Sequence, residues 1–145
     1  MKPRSISRFE AWYFLAVALS LVSTALGWSD MSTYTDAVID ESGANSRGMG
    51  LVLLFSSVAM FLVLALIFWA AIVLSRLGAA RWVLAVLIAY AAYSVGMRIA
   101  NTAMGFGLVA DIAAVASAAI AVSFLFRADA RAWFGKDDGQ VSDQV

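Results

Sequence analysis

The amino-acid sequence predicts an all-α integral membrane protein: a single-domain four-helix bundle, antiparallel in up-down-up-down order, with both chain ends on the inner side. Three observations predict it. Apolar residues make up 63% of the 145 positions and charged residues 14%, against roughly 45–50% and 25% in a soluble domain. A small soluble domain could not hide that much apolar surface, because much of its surface stays in water. The apolar residues also gather into four long runs parted by polar breaks, and about 20 apolar residues at 1.5 Å each cross a hydrocarbon core of roughly 30 Å. Finally, the basic residues are distributed unevenly between the breaks.

The first run, 11–28, follows an N-terminal segment, 1–10, that carries Lys2, Arg4, Arg8 and Glu10. Trp12 and Trp28 stand near its two ends. Their separation of roughly 24 Å along a helix would put an indole at each interface, where amphipathic rings prefer to lie. A signal peptide is the competing reading, but its apolar region spans only about 7–15 residues, and Ala25-Leu26-Gly27 is a fair cleavage site at best. An uncleaved span is therefore expected.

Residues 29–48 form the one sizeable break, with Asp30, Asp36, Asp40 and Glu41 against a single Arg47. Gly43, Asn45, Ser46 and Gly48 predict a loop, with only a weak signal for a short interfacial helix over 31–39. The second span is expected at 49–75, long enough to tilt. The tight connection 76–81 follows, where Gly78 suits a helix C-terminus. The third span is expected at 82–104, opened by Trp82 and interrupted by Arg98 and Asn101. A turn at 105–107 contains Gly105 and Gly107. The fourth span, 108–126, carries Asp111 near its start, and a polar tail, 127–145, closes the sequence. Within the tail, Arg127 to Phe134 alternates charge with apolar rings. It reads as an amphipathic helix on the inner surface, anchored by Trp133 and Phe134.

Orientation follows from Lys and Arg. Lys2, Arg4, Arg8, Arg76, Arg81, Arg127, Arg131 and Lys136 fall on one side, while Arg47 and Arg98 fall on the other. Positive charge collects on the inner face, so both ends are expected inside and the acidic 29–48 segment outside.

The chain contains neither Cys nor His. Disulfides, thiolate or imidazole metal sites, His- or Cys-held haem, and Ser-His-Asp or Cys-His nucleophiles are thereby excluded. No phosphate-cradling glycine motif or nucleic-acid module is present, the net charge is zero, and neither a cofactor nor a nucleic-acid partner is expected. The expected partners are the bilayer itself and other membrane proteins or further copies of the chain.

Helix association in lipid falls to small residues and polar contacts, because the tails are as apolar as the side chains. The fourth run offers two rows of small residues, Ala110, Ala114 and Ala118, and Ala113, Ser117 and Ala121. The first run has Ala16, Ser20, Thr24 and Gly27 on nearly one stripe. Packing within the chain is the expected use, and mating with another protein the alternative.

Arg98 and Asp111 are the candidate site. Charge at membrane depth is costly and usually finds a partner. With the turn centred on Phe106, the two would face each other across adjacent helices, and Asn101, three residues from Arg98, could join them. They would serve as a structural clamp or lie exposed among the headgroups, or alternatively form a substrate or proton site. Glu10 is read as an acid in the first helical turn, favoured by the macrodipole. A proton-coupled carboxylate is its alternative role, which its place beside Arg8 disfavours.

The segment Pro3 to Glu10, Ala79 to Leu84 before and into the third span, and Phe124 to Phe134 closing the last one resemble a group of small four-span bacterial inner-membrane proteins with no assigned activity. That resemblance implies the topology and a bacterial inner membrane, and carries no catalytic residue across. The expected function is a non-enzymatic accessory, assembly or scaffolding subunit. An oligomeric small-solute or ion transporter or channel using Arg98, Asp111, Asn101 and Glu10 is the alternative.

Overall fold

The computed structural model describes residues 3–41, 49–101 and 105–134, without the side chains at 30, 34, 40, 41, 101 and 131–133. The described residues are helical, with no strand among them. Six helices follow in order: α1 (Arg4–Leu26), α2 (Trp28–Glu41), α3 (Met49–Val73), α4 (Gly78–Asn101), α5 (Phe106–Leu125) and α6 (Ala128–Phe134). Four of them, α1, α3, α4 and α5, are long and apolar enough to cross a membrane.

Helix α1 starts seven residues ahead of the expected span, at Arg4 rather than Ala11. Pro3 sits extended at the N-cap, and its carbonyl accepts the Ser7 N–H at 3.3 Å. Proline is well tolerated at a helix entrance, where no N–H is needed. Ile6 and Phe9 are fully buried, so this turn is held by packing and not by hydropathy. The segment read as a loop from Ser29 is helical through Glu41. Its hydroxyls bond back to their own helix: Ser32 and Thr33 donate to the Ser29 carbonyl, and Thr35 to that of Met31. α2 lies against the start of α3, with Ile39 buried, Trp28 on the Phe55 ring at 5.1 Å, and Asp36 beside Gly50, which has no Cβ to obstruct it.

Gly78 is not the helix terminator that the sequence suggested. α3 ends at Val73, where the N–H groups of Leu74 and Ser75 both reach the Ala70 carbonyl and Leu77 N–H reaches Ala71. The left-handed residue in this turn is Arg76, with φ at 50°, and Gly78 opens α4. Likewise Phe106 is not the turn's centre but the first residue of α5, behind an extended Gly105.

The most extensive helix contact is α1 with α5, followed by α4 with α5. α3 touches α1 and α4 sparsely. The buried core gathers at one end of the molecule: Ile6, Phe9 and Tyr13 of α1, Ile72 of α3, Leu84 of α4, Ala121 to Leu125 of α5 except Ser123, and Ala130 of α6. The amphipathic segment expected after residue 126 is therefore a helix packed on protein. Its Phe134 lies half-buried against this core. The Trp133 side chain lies outside the described residues.

Candidate functional site

The end of α1 and the start of α5 pack closely because small residues line both. Ala16 and Ser23 of α1 are buried, as are Ala114, Ser117 and Ala121 of α5. Ala110, Ala113 and Ala118 are half-buried beside them. The two small-residue rows of α5 thus contribute to contact within the chain.

At this end of the α1–α5 pair the structure brings Arg98 and Asp111 together, the guanidinium Nη1 donating to Asp111 Oδ2. Sequence reasoning missed the third member, Ser23. Its hydroxyl lies 2.5 Å from Asp111 Oδ1 and 2.9 Å from the Gly107 carbonyl. A hydroxyl carries one proton, so it serves one of these acceptors at a time. Ser23 stands off the Ala16–Ser20–Thr24 stripe by one residue, so the small-residue pattern pointed past it. Asp111 is well covered, its side chain 19% exposed, whereas that of Arg98 is 57% exposed. Asn101 closes α4, and its side chain lies outside the described residues.

Beside this cluster is a partly open cavity of about 500 Å³, walled by α1, α3, α4 and α5. Each helix contributes one stripe at helical spacing. On α4 it runs Leu84, Ile88, Ala91, Val95 and Arg98; on α5, Asp111, Ala114, Val115 and Ala118. On α1 it is Tyr13, Ala16, Val17 and Ser20, and on α3 Phe61, Leu64, Ala65 and Phe68. The walls are apolar for most of their length, with the charged pair at one end. Tyr13 stands toward the other end, where its hydroxyl donates to the Ala65 carbonyl at 2.8 Å.

Glu10 lies in the second turn of α1, not the first, because the helix begins earlier than the hydropathy suggested. Its carboxylate accepts the Trp69 indole N–H at 3.1 Å. Glu10 and Tyr13 therefore grip α3 at Trp69 and Ala65, a polar fastening that the sequence did not reveal. Other hydroxyls behave locally: Thr24 donates to Ser20, Ser94 to Tyr90 and Ser123 to Ile120, all to backbone carbonyls of their own helices.

The tryptophans expected at interfaces have protein neighbours. Trp12 is half-buried against the core, and Trp28 stacks on Phe55. Trp82 is exposed and meets Phe126 edge-on at 5.0 Å. The Arg81 guanidinium lies 5.7 Å from the Phe126 ring and 5.5 Å from that of Phe134. Arg127 sits 4.6 Å above Phe124. Among the described residues, no three acidic side chains converge as a metal site would require.

Comparison with known proteins found no matching family model, curated protein or solved structure.

Proposed function

We propose that this chain is a non-enzymatic accessory subunit of a membrane, possessing four antiparallel spans, both ends inside, and an apolar exterior that other membrane proteins or further copies of itself cover. The observation carrying this reading is where the polar groups go. Glu10, Tyr13, Ser23, Arg98 and Asp111 are engaged with neighbouring helices, while α3 and α4 present long apolar faces outward, among them Val52, Phe55, Leu66, Val86 and Tyr90. Polar side chains hold the bundle from within, and the outside is left for lipid and partners. The juxtamembrane resemblance supports a bacterial inner membrane, and the basic residues Arg76, Arg81 and Arg127 support the orientation.

Two measurements test it. Because the chain lacks Cys, single-cysteine variants report topology cleanly. Ser75→Cys should react with an impermeant maleimide only from inside, and Ser29→Cys only from outside; reversed or equal labelling overturns the orientation. A photo-crosslinking residue placed at Val86 or Leu66 should capture a defined membrane protein, or a second copy, in native membranes. Crosslinks to lipid alone at both positions would remove the subunit reading.

The transporter reading retains one favouring observation, the charged pair at the end of the cavity. Arg98→Leu with Asp111→Leu should then abolish flux in reconstituted vesicles. No flux in the parent protein excludes it.

A further inference from the structure

We infer that the cavity takes one acyl chain of a bilayer phospholipid, whose phosphodiester rests on the Arg98 guanidinium. This inference depends on the membrane-spanning reading and not on the accessory role. Three features identify the occupant: length, polarity and depth.

The α4 stripe from Leu84 to Arg98 covers fourteen steps, about 21 Å at helical rise. The groove holds about 500 Å³ over that length, an elongated and partly open space. A single extended hydrocarbon chain matches that length. The volume also lies within the roughly 300–1,000 Å³ typical of small-molecule sites.

The walls are apolar, with charge only at the end formed by Arg98 and Asp111, which is the polarity of an amphiphile. At that end the groups left for a ligand are donors. Both Asp111 oxygens are already engaged, by Ser23 and by Arg98, and its side chain is covered. Arg98 is more exposed and carries five N–H donors in a fork suited to an oxyanion. Asp111 offsets the arginine charge, so the pair suits a singly charged or zwitterionic phosphodiester rather than a multiply charged anion.

Depth agrees. Arg98 stands one turn from the end of α4, the level of headgroups for a membrane-spanning helix. A length of about 21 Å exceeds half of a roughly 30 Å hydrocarbon core, so a chain anchored there ends inside the cavity, above the packed core at Tyr13, Phe68 and Leu84.

The test uses the full chain, purified in mild detergent and reconstituted with a phosphatidylglycerol that carries a diazirine near its acyl terminus. Photolysis should label peptides from the cavity stripes of α4 and α5, and Ala91→Phe should reduce that labelling at least tenfold. Arg98→Gln should reduce it similarly, and a diacylglycerol with the same diazirine chain should label the cavity at least tenfold less than the phospholipid does. Labelling confined to outward residues such as Val86 and Leu66 overturns the inference. So does equal cavity labelling by the diacylglycerol, or loss of labelling to competing palmitate but not to competing phosphatidylglycerol. If Ala91→Phe does not fold, Ala118→Leu narrows the same space from α5. Resistance of the protein to alkaline extraction from membranes is scored separately. A chain that is extracted contradicts the spanning reading, whereas one that stays inserted without cavity labelling contradicts this inference alone.

Discussion

Arg76 occupies a left-handed backbone position, which costs an L-residue roughly 1–2 kcal/mol and glycine almost nothing. Arg76→Gly is expected to raise stability by up to about 1 kcal/mol, visible as a higher unfolding temperature in detergent. Tyr13→Phe removes the hydroxyl that reaches the Ala65 carbonyl. Hydrogen bonds between membrane helices contribute about 1 kcal/mol or less, so a small destabilisation is expected, without loss of the fold. Asp129 accepts the Ser5 backbone N–H at 3.3 Å. The Ser5 side chain is the largest influence holding its carboxyl below the ordinary aspartate range; burial opposes it, and backbone N–H groups assist. The Ser5 hydroxyl is buried without a well-formed hydrogen bond, so its influence comes from proximity. A carboxyl depressed in the folded state stabilises above its unfolded pKa, and loses that contribution as pH falls through the folded value. The contact between α6 and α1 should therefore hold at neutral pH and loosen only below about pH 4. Hydrogen exchange of the α6 amides should follow this, and Asp129→Asn should remove the pH dependence.

At the scale of elements, the four long apolar helices were legible because hydropathy integrates over a whole helix. The helix ends were not, because single residues set them. Pro3 starts α1 early, and Arg76 takes the turn position that Gly78 seemed made for. α2 was hidden by its acids and hydroxyls, which resemble a loop in composition but bond back along their own helix. The Arg98–Asp111 pair could be read from charge at depth across a short turn. Ser23, and the Glu10 and Trp69 contact, could not, since they depend on how α1 is rotated against α5 and α3. That rotation predicts which small residues matter. Ala121→Leu, at a fully buried position, should overpack the α1–α5 contact and cost about 1–3 kcal/mol. Ala116→Leu, exposed on the same helix, should be close to neutral. Equal effects in a denaturation series would show that the α1–α5 contact lies on another face.

The molecule as a whole is asymmetric along its length. One end is packed, where α6 closes over the starts of α1 and α4 and the ends of α3 and α5. The other half holds the cavity. Local opening follows the density of buried contacts. Backbone amides of α1 and α5 near Phe9 and Leu125 should thus exchange slowest, and those of α4 near Gly96 to Ala100, exposed throughout, much sooner. A uniform exchange profile would contradict this.

The dominance of the α1–α5 contact bears on how the protein is made. The start of α5 lies 80 positions beyond the end of α1, and translation at about 5–20 residues per second covers that distance in roughly 4–16 s. For that interval α1 has no access to its principal neighbour, and its small-residue face goes without that partner. Substitutions on that face would consequently show first in how much protein accumulates in a growing cell, before they show in the stability of any molecule that survives assembly.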